Sequence, residues 1–188
     1  MTLTTLLVPT FIQMLNALAA WLKKAQEQLP EAEVQALLGA RLAPDMFPLS
    51  TQVRFACTQA YEAVIRLQGE GFPENPDKIF ADGRASIENP GTFADAQTRI
   101  DETIAMLQGL DRDALDGDAN RPVSHELPNG MVFDLTAEQH ARDWILPQFY
   151  FHVTTAYSIL RSEKVELGKP DYVAHMFLYL RPGTMPEE

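Results

Sequence analysis

A mainly α-helical fold is what this sequence predicts: a four-helix bundle carrying a small β-hairpin before its last long helix. Three observations lead there. Apolar residues recur at three- and four-residue steps through four long segments, the pattern of amphipathic helices. Between Arg121 and Leu135 the period changes to two, around Asn129-Gly130. Nowhere does the chain show the alternating strand and helix pattern of a parallel sheet. With 188 residues, one domain spanning the whole chain can bury well over half of the extended chain's surface.

The first helix is expected from about Leu6 to Leu29, with Phe11, Leu15, Leu18, Leu22 and Ala25 on its inner face and Pro30 ending it. A short helical piece, EAEVQALLG, closes on Gly39. The second long helix begins near DMFPLSTQVRF, with Pro48 in its first turn and Asp45 as its cap, and runs to Gln68 before Gly69. Leu49, Val53, Ala56, Ala60, Val64 and Leu67 form its inner stripe. A segment dense in Pro, Gly, Asn and Asp then reads as a loop, with an extended piece at Lys78 to Ala81. Thr92 caps a third helix whose core face is Phe93, Ala96, Ile100, Ile104 and Leu107.

VSHEL and MVFDL flank Pro128-Asn129-Gly130, and Asn129-Gly130 suits a two-residue turn with both φ angles positive. In that register, facing residues have numbers that sum to 259, so His125 opposes Asp134 on a partly exposed ribbon. Thr136 is the N-cap of the last helical region, with Glu138 or Gln139 completing a capping box. Pro147 cannot donate to the carbonyl of Asp143, so a short helix, a break and a main helix from Pro147 to about Ser162 are expected. The tail, PGTMPEE, reads as frayed.

Composition narrows the function classes. Apolar residues make up 46% and charged residues 22%, as in ordinary soluble proteins. Lys and Arg number 15 against 26 Asp and Glu, a formal charge of −11, which opposes binding to nucleic acid or anionic lipid. The single cysteine, Cys57, sits among Val53, Phe55, Ala56 and Ala60 and reads as a buried, inert thiol. No basic residue precedes the apolar N-terminal run, and Gln13, Asn16, Lys23 and Lys24 interrupt it, so neither a secretory signal nor a membrane span is expected and the location is read as cytoplasmic. Phosphate-binding glycine loops, nucleophile elbows and HExxH motifs are absent, and DRDALDGDAN lacks the ligand spacing of a calcium loop.

LPQFYFHVTTAYSIL, Leu146 to Leu160, places His152 beside the apolar stripe of Phe149, Val153, Ala156 and Leu160. Gln148, one turn earlier, shares its face. If the second and last long helices adjoin, Gln52 meets Gln148 and His152, and Tyr150 or Tyr157 adds a hydroxyl. Such groups either line a small-molecule pocket or satisfy one another in a polar core layer. No two histidines have H-x3-H spacing, and His125, His140 and His175 add no evident partner to His152, so the local metal signal is weak.

RLAPDMFPLSTQVRFAC, Arg41 to Cys57, and LPQFYFHVTTAYSILRSEKVELGKPDY, Leu146 to Tyr172, resemble a family of bacterial proteins of unknown function within the DinB-like superfamily. The resemblance covers the chain from Leu6 to Tyr172. It implies an up-down-down-up four-helix bundle, frequently dimeric, and so a homodimer here. Many such proteins hold a divalent metal with one histidine from the second helix and two at H-x3-H spacing on the last. Some are thiol transferases or metal-dependent hydrolases. By that template His152 is the second histidine of the pair, but Gln148 stands in the first position, and the facing helix offers Gln52 and Gln59. Neutral amides are poor transition-metal ligands, so the expectation is a degenerate metal site.

The function expected is therefore a small-molecule-binding bundle without a tightly held metal or other cofactor, its pocket near Gln52, Gln148, His152, Tyr150 and Tyr157. One alternative is a metal-dependent hydrolase or thiol transferase using a divalent ion such as zinc or nickel, held if anywhere by His152. The other is a structural or interaction protein whose polar layer sets helix register.

Overall fold

The computed structural model describes residues 1–69, 81, 85–127 and 129–184. Helix α1 (Leu3–Gln28) starts earlier than its apolar pattern suggests, because Thr2 caps it reciprocally with Thr5. Leu7, Phe11, Met14, Leu15, Leu18, Trp21, Leu22 and Ala25 enter the core. By length and composition alone α1 could cross a membrane, with a mean hydropathy of 1.5 in its most apolar stretch, of which 39% is buried in the protein's interior. Short α2 (Glu31–Leu37) leads to α3 (Leu49–Gln68).

Asp45 does not cap α3. Its N-cap is Pro48, which offers no side-chain bond, and the first amides of the helix bond instead to carbonyls of the preceding turn, Leu49 N–H to Ala40 at 2.9 Å and Ser50 N–H to Leu38 at 3.1 Å. At its far end Gly69, with φ of +79°, provides the expected left-handed cap. The extended piece expected at Lys78 to Ala81 lies almost wholly outside the described residues, as does the end of the tail.

Helix α4 (Phe93–Gln108) begins at the expected Thr92, which forms a capping box with Asp95. The four long helices form a ring. α1 and α3 sit diagonally, each packed between α4 and the last long helix, α6 (Leu146–Ser162), and α3 makes its widest contact with α6. Thr4 anchors the connection that follows α4: its N–H and hydroxyl both donate to Asp116 Oδ1 at 2.7 Å, and its oxygen accepts from Leu115 N–H.

Strands β1 (Pro122–Glu126) and β2 (Val132–Thr136) pair antiparallel as expected, but one residue out of the expected register. His125 opposes Phe133, and Ser124 opposes Asp134. Leu127 and Met131 close the ladder, which leaves three residues in the turn, and Gly130 has the turn's left-handed φ, +83°. A three-residue loop ending in such a glycine adds one position to a two-residue turn, and the pairing moves with it. The expected pairing of His125 with Asp134 is therefore replaced by an inward-facing His125, which β1 buries alongside Val123 on alternate positions.

No break separates the hairpin from the last helix. α5 (Ala137–Gln139), capped by Thr136 and Gln139, runs into a π-helical turn at His140–Ile145 and on into α6. There the Leu146 N–H reaches back five residues to Ala141, and this widened turn admits Pro147 without interrupting the helix. α6 ends on Lys164, a non-glycine residue at φ of +68°, with the Val165 N–H bonded to Leu160 at 3.0 Å. α7 (Lys169–Tyr172) follows, and Trp21 donates to the Asp171 carbonyl and stacks on Tyr172.

Candidate functional site

Polar residues recur on the buried side of α3. Gln52, Gln59 and Glu62 are each 3% exposed or less, and Arg66 lies one turn beyond. Taking such groups out of water is unfavourable unless each finds a partner. They serve two separate places.

At the first, the His152 Nδ1–H donates to Gln52 Oε1 at 2.9 Å, while the Gln52 amide nitrogen donates to the Phe47 carbonyl at 3.1 Å. These bonds orient the amide and place the imidazole proton on Nδ1. Phe55 and Phe151 flank the ring, and burial pushes the His152 pKa down to about 4. Gln148 lies half-buried one turn earlier on α6. The expected pair is thus brought together, but the tyrosines are not with it. Tyr157 packs edge-on to Trp21 and Tyr172, and Tyr150 sits edge-on to Phe149, its pKa raised by burial and by Tyr172.

A DinB-type metal does not fit here. Among the described residues one imidazole stands there, one of its nitrogens bonds to an amide oxygen, and Gln52 and Gln148 are neutral amides.

The second place lies about three turns away along both helices. His140, the first residue of the π-helical turn, brings Nε2 to 3.3 Å from His125 Nδ1, and that atom is 3.5 Å from Glu62 Oε1. All three side chains are 1% exposed or less. Arg66 Nε donates to Glu62 Oε1 at 2.6 Å, but Glu62 Oε2 and His140 Nδ1 are buried with no hydrogen-bond partner among the described residues. Burial raises the Glu62 pKa and the Arg66 charge opposes the rise. Burial, reinforced by nearby positive charge, drives His125 to about 4 and His140 to about 3, so both imidazoles are neutral at pH 7. The His125–Glu62 contact is then a dipolar one, not an ion pair.

Sequence reading missed this cluster, though signals for it existed. Gln52, Gln59, Glu62 and Arg66 recur at steps of seven, three and four, a polar stripe of helical period. Period two in VSHEL places Val123 and His125 on one face.

A cleft opens between α3 and α4, apart from both places. It holds about 310 Å³ and is lined by Cys57, Thr58 and Tyr61 from one helix and Arg99, Glu102, Thr103 and Met106 from the other. Thr58 and Thr103 each donate to the carbonyl four residues earlier, which leaves their oxygen lone pairs as acceptors. Cys57 is buried, and its pKa is pushed up to about 11, so it is no nucleophile at neutral pH.

Residues 3–173 match a family described as a domain of unknown function, DUF1993. A solved structure described as a DinB family member from Shewanella denitrificans is similar over 98% of this chain and 96% of its own, with 31% sequence identity and a TM-score of 0.71. No curated protein matches.

Proposed function

The chain belongs to the DUF1993 family and has a DinB-like fold, and from that premise we propose that it binds a small, partly apolar organic molecule and holds no metal at the position DinB-like proteins use. The observation that carries the reading is the α3–α4 cleft, whose volume of about 310 Å³ falls at the lower end of ordinary ligand pockets. Its lining is mixed in the manner of such pockets. Met106 and Tyr61 give apolar contact, Thr58 and Thr103 give acceptors, and the exposed Arg99 and Glu102 give charge of either sign at the rim.

The Gln52–His152 bond supports the second half of the proposal, because it closes the superfamily's metal position on itself. A hydrolase or thiol transferase that works through a metal at that position has no ligand set there, and the raised pKa of Cys57 argues against the chain's own thiol as a nucleophile. We place the pocket on a neighbouring face of α3 instead of at His152. The cytoplasmic location and the homodimer stay within the proposal.

A fragment screen by ligand-observed NMR on the full chain tests the reading. Fragments should bind the wild type, lose binding in Met106→Trp, which fills the cleft, and keep it in His152→Gln. Failure of all fragments to bind below a Kd of about 1 mM would overturn the proposal, as would hits lost only in His152→Gln.

A further inference from the structure

We propose that Glu62, His125 and His140 form a binding site for a zinc-type divalent ion, separate from the superfamily's metal position. The separation follows from helix geometry. Glu62 lies ten residues beyond Gln52 on α3, about 15 Å at a rise of 1.5 Å per residue, and His140 lies twelve residues before His152, across the π-helical turn.

The spacing of the donor atoms carries the inference. Zinc bonds of about 2.0–2.2 Å in a tetrahedral site set neighbouring ligand atoms roughly 3.3–3.6 Å apart. His140 Nε2 to His125 Nδ1 is 3.3 Å, so one edge of such a site is already present, and the Glu62 carboxylate stands beside it, with Oε1 3.5 Å from His125 Nδ1. One ligand atom from each of the three residues lies within 4.8 Å of the others. The remaining two edges close by a turn of the Glu62 carboxylate that brings the unengaged Oε2 toward both imidazoles while Oε1 stays on Arg66.

A cluster held only by hydrogen bonds gives no reason for that unengaged oxygen. One bond between two imidazoles and one from Arg66 leave a buried carboxylate oxygen without a donor, an arrangement that folded proteins largely avoid. A cation supplies what it lacks. Two imidazoles and a carboxylate are also a donor set that zinc accepts, with a water completing four-coordination. The Trp144 indole, whose ring lies 4.3 Å from that of His125, has a buried N–H with no hydrogen-bond partner among the described residues.

The three ligands come from three elements: α3, β1 and the π-helical turn. An ion there ties the hairpin to both helices. Because every ligand is buried, its role is a staple and not a site for bulky substrates.

Protein made without a polyhistidine tag should carry roughly one zinc ion per chain by mass spectrometry, or take one up after chelator treatment. Co²⁺ in its place should give the visible absorption of a four-coordinate site. Titrating the stripped wild type with zinc should move the ring-nitrogen resonances of His125 and His140 and leave those of His152. Glu62→Gln and His140→Gln should lose the ion, while His152→Gln and Met106→Trp keep it. A wild type that takes up no zinc, with His125 and His140 resonances unmoved, overturns the proposal. So does an ion kept in Glu62→Gln and lost in His152→Gln. The resonance experiment uses the wild type, so a variant that fails to fold does not remove the test.

Discussion

Lowering the pH from 7 to 5 should destabilise this protein through its buried imidazoles, and His152 allows one of them to be measured alone. Its pKa falls from the ordinary 6.5 to about 4, with burial as the cause. A histidine with a depressed folded-state pKa takes up its proton more readily in the unfolded chain. Its contribution is therefore complete above pH 6.5 and is lost as the pH falls through the window from 6.5 to 4. At pH 5 the unfolded imidazole is almost fully protonated and the folded one about a tenth protonated, a difference of about 2 kcal/mol. Urea unfolding followed by circular dichroism at pH 7 and pH 5, on wild type and His152→Gln, isolates that amount. Glutamine does not titrate, and its amide can still donate to Gln52. His125 and His140 remain in both proteins and their effects cancel, since sites so far apart are close to additive. The wild type should lose about 2 kcal/mol more than the variant. A difference below about 0.5 kcal/mol would refute the burial argument, because it would mean that His152 is solvated or is protonated in the folded state.

Two stability changes of opposite sign follow from the packing. Phe149 is fully buried with its ring edge-on to Phe11 at 4.8 Å, so Phe149→Ala should cost about 3–5 kcal/mol in chemical unfolding. Lys164 has a φ of +68°, which glycine adopts without the penalty of a Cβ, so Lys164→Gly should stabilise by roughly 0.5 kcal/mol, seen as a higher urea midpoint at unchanged slope.

The capping residues Thr92 and Thr136 stand where their spacing to Asp95 and Gln139 places them, since a capping box is closed within four residues. Asp45 shows the same rule failing. Local pattern offers its side chain, whereas the free amides of α3 are satisfied by carbonyls of Leu38 and Ala40, which depend on how the whole α2–α3 connection folds back. Pro147 forbids a regular α-helical bond, but a break and a widened π turn both obey that prohibition. Packing of the last helix against α3 favours the continuous form.

The candidate site divides along the same line. Gln52 and His152 could be paired from sequence because each lies beside the apolar stripe of its own helix, and stripes that share a core must face each other. The same sequence pattern offers Tyr150 and Tyr157 there too, yet the opposite side of α6 meets Trp21 and Tyr172, residues that no local period connects to it.

By itself the sequence determined four amphipathic helices, a hairpin between the third and last, and the threonine caps at Thr92 and Thr136. These are properties of periods and spacings within single segments. Only the tertiary structure decided that His125 faces inward to meet Glu62 and His140, because a one-residue change in hairpin register turns every side chain of a strand to the other face. It also decided that the ligand-sized cleft opens between α3 and α4, since the space between two helices depends on their separation and rotation, which neither stripe specifies.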